Sequence, residues 1–391
     1  MKLSKREIIL ILVLITLVVA AGVFFVFSGY ARSREARQDS QNNISYTGIS
    51  DVPLYIPPSK LSNPPEIVKA VYVTGWSAGN KKYLDYLSYL FKNTEINAVV
   101  VDIKGSGGGV SYNSGAEAAK KYNLYNGAIK DIDALTKFFH DQNIYIIGRI
   151  VVFEDTIYAR ARPELAVYDK VLWQAAPLGE PRLWRDYSGL SWLDPASKEV
   201  WDYTVSLAKD AFYHGFDEIN FDYIRFISDG DLKNAGFPFQ DDKTSMAEVI
   251  KSFFQYVRIN LAGKISVDLF GQTTTSTNDM GIGQVIEDAF ENFDYISPMV
   301  YPSHYINGFM GFSNPAEHPY EVVNDAMSSA IVRLPLAKFR PWLQDFNMGA
   351  IYNADMVKAE IKATQDALGE NYSGFMLWNA GNIYTEEAIL K

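Results

Sequence analysis

The stretch Gly215-Phe216-Asp217-Glu218-Ile219-Asn220-Phe221-Asp222-Tyr223-Ile224-Arg225-Phe226 sets the fold class. Ile219, Phe221 and Tyr223 alternate with Glu218, Asn220 and Asp222, the two-residue period of a strand whose faces meet different surroundings. A helix-like run over residues 197–214 precedes it, and polar, glycine-bearing sequence follows at 228–236. Asp222 therefore falls near the strand's carboxyl end, where parallel α/β folds carry their chemistry.

Outward from this stretch, β-branched or aromatic runs recur at residues 68–76, 97–105, 145–153, 264–271, 294–302, 338–346 and 374–381. Amphipathic helical spacing lies between them at 81–93, 131–142, 197–214, 245–262, 283–292, 319–333 and 354–368, with a short last helix expected before Lys391. Strand and helix alternating eight times imply a closed (β/α)8 TIM barrel over residues 67–391. A doubly wound open sheet is the alternative, but Thr74-Gly75-Trp76-Ser77-Ala78-Gly79-Asn80 lacks the glycine fingerprint that fold places after its first strand. Gly105-Ser106-Gly107-Gly108-Gly109 lacks the lysine and following helix of a phosphate cradle and is read as a flexible mouth loop. The insert at 156–193, with Trp173, Trp184, Tyr187 and Trp192, is expected to fold over the mouth. Pro298 cannot donate a ladder hydrogen bond, so a bulge or bend is expected in the sixth strand.

An apolar share of 48% in 391 residues supplies a large core, and the net charge of −10 without a basic cluster in the folded part excludes a nucleic-acid groove. Without cysteine there is no thiolate chemistry, and none of the four histidines is paired at metal-ligand spacing, so no metal and no cofactor are expected. Residues 8–27 form an uncharged run long enough to cross a bilayer and are read, within residues 1–30, as a single-pass membrane anchor with the catalytic domain outside the cell; a cleaved signal peptide is the alternative. Residues 31–66, rich in Ser, Asn, Gln and Pro, read as a tether.

On the alternation, the inward residues nearest the mouth are Trp76, Asp102 with Lys104, Arg149, Asp222, Asp268, Tyr301, either Gln344 or Asp345, and Trp378. Aromatic faces stack on sugar rings while carboxylates and amides take hydroxyls, and glycosidic cleavage needs a proton donor plus a second carboxylate. Asp222, beside Tyr223 and Arg225, is the candidate nucleophile or base, and Asp268 is the candidate acid. Asp345, Asp102, Glu154 and Asp155 compete for that role, and His304 is either a loop residue or a substrate contact.

Three segments carry a family resemblance: Phe221-Asp222-Tyr223-Ile224-Arg225-Phe226, Arg340-Pro341-Trp342-Leu343-Gln344-Asp345-Phe346 and Gly374-Phe375-Met376-Leu377-Trp378-Asn379-Ala380. Together they resemble the bacterial "putative glycoside hydrolase" barrel family, which implies a TIM barrel that cleaves polysaccharide; Tyr223, Arg225, Trp342 and Gln344 are counted among the expected substrate contacts. The 215–224 stretch, Met299-Val300-Tyr301 and Trp378 are also similar to chitinase-like barrels, but Ile224 stands where those carry the catalytic glutamate, and Asp222 matches the aspartate that assists it. The expected function is cleavage of a cell-surface or cell-wall polysaccharide. The alternatives are a non-catalytic glycan-binding barrel and, disfavoured by the histidine spacing, a deacetylase.

Overall fold

The computed structural model of the protein describes residues 61, 63–175, 182–241 and 243–391. Within them, eight parallel strands form a closed barrel. They are β1 (Val68–Val73), β2 (Ala98–Lys104), β3 (Tyr145–Val151), β4 (Glu218–Asp222), β5 (Lys264–Phe270), β6 (Tyr295–Met299), β7 (Trp342–Gln344) and β8 (Gly374–Trp378). Helices α1 (Lys81–Asn93), α2 (Ile132–His140), α3 (Lys198–Tyr213), α4 (Met246–Asn260), α5 (Ile286–Phe290), α6 (Pro319–Arg333) and α7 (Ala354–Leu368) follow the first seven strands. After β8 stands only a single 3₁₀ turn, Glu386–Ala388, in place of the expected short helix.

Local chemistry explains the helix boundaries. In α1, Leu87, Leu90 and Phe91 recur at one-turn spacing and are the buried face, while Asn80 caps the amino end by accepting from the Lys82 N–H. The α4 start is a reciprocal capping box between Ser245 and Glu248. Strand residues such as Val71, Val99 and Ile146 face these helices and join one large apolar cluster. Val68, Ala70, Ala98, Val100 and Ile147 face inward into a second cluster, which Leu61 also joins.

The cylinder closes between its first and last strands. β1 pairs with β8 from Val68 opposite Gly374 to Val71 opposite Leu377. Gly374 sits at φ 111°, and a Cβ there would lie 1.8 Å from the Val68 carbonyl oxygen, so the seam requires glycine. The Thr74 N–H donates to Asn382 Oδ1 at 3.0 Å and clamps the same joint.

Two strand details differ from expectation. Pro298 causes no bulge: it sits in unbroken register opposite Leu269. Toward β7 the flanking N–H groups of Ile296 and Val300 donate to Lys338 and Trp342, so the missing donor costs one rung of a short strand pair. The register shift falls instead between Asp102 and Lys104. It turns Lys104 away from the lumen toward α3, where Nζ meets Asp155 Oδ2 at 2.9 Å below the Tyr203 ring.

The Gly105–Gly109 loop expected to be free is seated on this pair: the Ile157 N–H donates to the Gly107 carbonyl, and a Cβ on Gly108 (φ 97°) would lie 1.7 Å from Asp155 Oδ1. In the described part of the insert, Trp184 and Trp192 are buried, and Trp192 packs 5.7 Å from Tyr223 just beyond β4. Residues 8–27 lie outside the described residues, and no helix among those described is long and apolar enough to cross a membrane.

Candidate active site

The lumen is polar on the β3 to β5 side, and its polar residues stack in layers. At the lower level Glu218 accepts from Ser266 Oγ at 2.6 Å and from Tyr145 Oη at 3.2 Å, and it pairs with the buried Arg340. Asn220, one pleat higher, donates to Asp268 Oδ1 at 2.8 Å. At the top, Asp102, Arg149, Asp222 and Asp268 converge from β2, β3, β4 and β5.

Arg149 is the hub. Its Nη1 donates to Asp102 Oδ1 at 2.6 Å, and Nη2 and Nε donate to Asp222 Oδ2 at 2.6 and 3.2 Å. Asp268 Oδ2 stands 3.9 Å from the same Nε, so the Oδ2 atoms of Asp222 and Asp268 are no more than 7.1 Å apart, the sum of the 3.2 and 3.9 Å contacts. Burial drives the Asp268 carboxyl well above the usual carboxylate range, and the Asp222 charge pushes the same way against Arg149. Burial also raises Asp102, opposed by Arg149 and by the Tyr72 hydroxyl, which donates to Asp102 Oδ2 at 2.5 Å.

β4 ends at Asp222 because the next residue leaves the strand: Tyr223 has φ 53°, a left-handed conformation that costs a non-glycine residue energy. This turn lets the Tyr223 N–H donate to Asp222 Oδ1 at 2.6 Å, so both oxygens of Asp222 are fixed. Opposite stands an aromatic wall. Tyr72 stacks on Trp378 with centroids 4.0 Å apart, Trp342 meets Trp378 edge-on at 5.6 Å, and the Arg149 guanidinium lies 5.1 Å from the Trp378 ring.

A cavity of about 510 Å³ opens above this layer. Of the residues anticipated from sequence, Arg149, Asp222, Tyr223, Arg225, Tyr301, Trp342 and Trp378 line it. Asp102 and Asp268 lie behind that lining, in the Arg149 network. Gln344 is taken up by the Ser303 N–H and the Phe346 carbonyl, and Asp345 accepts from the Thr385 N–H and hydroxyl at 2.9 and 2.6 Å. Trp76 is 64% exposed: β1 stops at Val73, Thr74 caps the short helix Gly75–Ala78, and that helix swings the indole outside the lining.

The cavity also draws on Phe270, Gln272 and Gln284 beyond β5, and on His304, Tyr305 and Phe309 beyond β6. These loops have no period to read, and their only sequence signal is their place after a strand's carboxyl end. His304 is on the wall, where burial lowers its pKa and favours the neutral ring. Glu154, on the loop after β3, is buried with Oε1 lacking a hydrogen-bond partner among the described residues. Burial pushes its carboxyl up to about 7; the Asp186 and Asp222 charges add to this, and Ser106 and Arg225 oppose it. Among the described residues, no group of three or more His, Asp or Glu side chains is arranged to hold a metal ion.

A parallel eight-stranded barrel with carboxylates and aromatics gathered around a cavity beyond its strands' carboxyl ends has the architecture of the TIM-barrel enzymes. The chain belongs to the family described as "Putative glycosyl hydrolase domain", which matches residues 70–384. It is similar to a hypothetical protein from Ruminiclostridium thermocellum ATCC 27405, with 36% identity over 54% of this chain and 98% of that one and a TM-score of 0.45. It shares its fold with the α-galactosidase TtGalA from Thermus thermophilus, at 13% identity and TM-score 0.50 over 84% of this chain and 61% of that one. The GH20 exo β-N-acetylglucosaminidase from Vibrio harveyi gives 10% identity and TM-score 0.51 over 83% of this chain and 55% of that one. The chain thus spans less than two thirds of either of these two enzymes. No curated protein matches it.

Proposed function

We propose that the protein is a membrane-anchored glycoside hydrolase that cleaves a cell-surface or cell-wall polysaccharide in the cavity above Arg149. The observation that carries this reading is Asp222: of the six acids singled out from sequence, it alone lines the cavity, facing an aromatic wall suited to a sugar ring. Held in place by Arg149 and the Tyr223 N–H, it serves as nucleophile or base on the anomeric carbon. Asp268 lies behind the lining, so it positions Arg149 and leaves protonation of the leaving oxygen to another group. Glu154 also stands outside the lining, but its Oε1 has no hydrogen-bond partner among the described residues and its carboxyl, pushed up to about 7, is half protonated at neutral pH, which suits that step. Attachment through residues 8–27, with the barrel outside the cell, rests on their uncharged length.

The test is release of reducing ends from a panel of polysaccharides by the full chain, compared with Asp222→Asn. Turnover by the variant at the parent rate removes Asp222 from the chemistry. A second reading, glycan binding without cleavage, is favoured by Ile224, which is fully buried in the outer core and supplies no acid where chitinase-like barrels carry one. Saturable binding of a glycan with no products in any panel member supports that reading.

A further inference from the structure

Four cationic side chains are buried among the described residues: Lys104, Arg149, Arg225 and Arg340. Three have a carboxylate partner. Lys104 has Asp155, Arg149 has Asp102 and Asp222, and Arg340 has Glu218. Arg225 has none within 4.0 Å among the described residues, although it is only 6% exposed. Its one hydrogen bond there runs from Nη1 to the carbonyl of Phe226 at 2.9 Å, which leaves Nε and Nη2 uncommitted. Three rings flank the guanidinium, Trp192 at 4.6 Å, Phe270 at 4.9 Å and Tyr223 at 5.4 Å, and Arg225 lines the cavity that contains Asp222.

A cation withdrawn from water without a counter-ion is costly, and burial accordingly lowers the Arg225 pKa. The acids that face it act from beyond contact range and are engaged elsewhere. Asp222 is held by Arg149 and the Tyr223 N–H, and Asp229 Oδ1 accepts from the Tyr187 N–H at 3.0 Å. Glu154, titrating near 7, is only partly charged at neutral pH. The free edge formed by Nε and Nη2 presents two parallel donors, the fork that matches two oxygens of one anion.

We propose that the cavity takes a saccharide bearing an oxyanion, such as a carboxylate, sulfate or phosphate, and that Arg225 receives that oxyanion. The assignment rests on reading the cavity as the glycan site and adds the substrate class. Neutral glycans would leave the guanidinium buried and unpaired. An acidic sugar supplies the missing charge while Trp378 and Trp342 take its ring.

The experiment is calorimetric titration of the full chain in detergent micelles with glucose, glucuronate, the methyl ester of glucuronate, glucose 6-sulfate and glucose 6-phosphate. At least one anionic sugar should bind about tenfold tighter than glucose, the scale of one charge-assisted hydrogen bond, and which one does so distinguishes carboxylate from sulfate from phosphate. If the anion is carboxylate, the methyl ester should bind like glucose. The advantage should shrink as salt is raised and vanish in Arg225→Met. Equal binding of all five sugars, no saturation by any, or a preference kept by Arg225→Met overturns the proposal. Should Arg225→Met not fold, the sugar and salt comparisons on the parent protein decide alone. These sugars have no glycosidic bond to break, so anion-selective binding here with no cleavage of any member of the polysaccharide panel sinks the hydrolase reading and keeps this one, while cleavage of neutral polysaccharides without anion preference does the reverse.

Discussion

Arg149 Nη2 lies 2.6 Å from Asp222 Oδ2, and both side chains are buried at the floor of the cavity. The pair joins β3 to β4 and, through Asp102 and Asp268, ties in β2 and β5. Arg149→Met strips these acids of their common cation. Removing one partner of a buried ion pair leaves uncompensated charge, so the variant should lose about 3–5 kcal/mol of stability, read from its urea unfolding curve. An unchanged midpoint would mean that the acids go neutral at little cost.

Asp222→Asn preserves size and can keep the bond from Tyr223, but it removes the charge and turns a donor toward Arg149 in place of the accepting Oδ2. Turnover should fall by about 10²- to 10⁴-fold while the chain stays folded with a lowered melting temperature, because Arg149 loses a buried counter-ion, measured as reducing ends released and by circular dichroism. Collapse of the fold along with the activity would instead assign Asp222 a purely structural role.

The pH dependence follows from Glu154. Its carboxyl is raised from an ordinary 4.5 to about 7 by burial, so between those values the native chain binds more protons than the unfolded one. Its contribution to stability is therefore full below the ordinary value and is lost as pH rises through about 7. If Glu154 is the proton donor, activity should decline over the same rise. Glu154→Gln should abolish that alkaline limb along with most of the rate, while Asp268→Asn should keep the limb. A pH–rate profile that retains its limb in Glu154→Gln returns the role to another group.

Gly374→Ala tests the seam. With φ at 111° and the Val68 carbonyl in the way, the new methyl forces β8 away from β1. The expected loss is about 2–4 kcal/mol by thermal or chemical unfolding. A variant as stable as the parent would show that the seam relaxes freely.

Much of the barrel is written into the chain because strand and helix periods repeat at regular intervals. The predicted bounds of α1, α6 and α7 coincide with those observed, and each strand lies inside its predicted run. Where strands end is less legible. Tyr223 continues the apolar alternation that begins at Ile219, yet its backbone turns left-handed, and Trp76 does not keep the inward direction that simple alternation implies. Position on a strand marked out Asp102, Arg149, Asp222 and Asp268, but the identity of the hub emerges only from distances, because any of the acids could have faced a different neighbour. The loop residues Gln272, His304 and Phe309 carry no periodic signal at all.

The joint between β1 and β8 has a kinetic consequence. The bond from Thr74 to Asn382 spans 308 positions of sequence, so the cylinder cannot be completed until almost the whole domain has left the ribosome. Until then a partial sheet presents two unsatisfied edges, β1 on one side and the latest strand on the other, each a template for pairing with a neighbouring chain. Premature termination before β8 should therefore yield insoluble protein, and chaperone dependence should track the wait for the final strand.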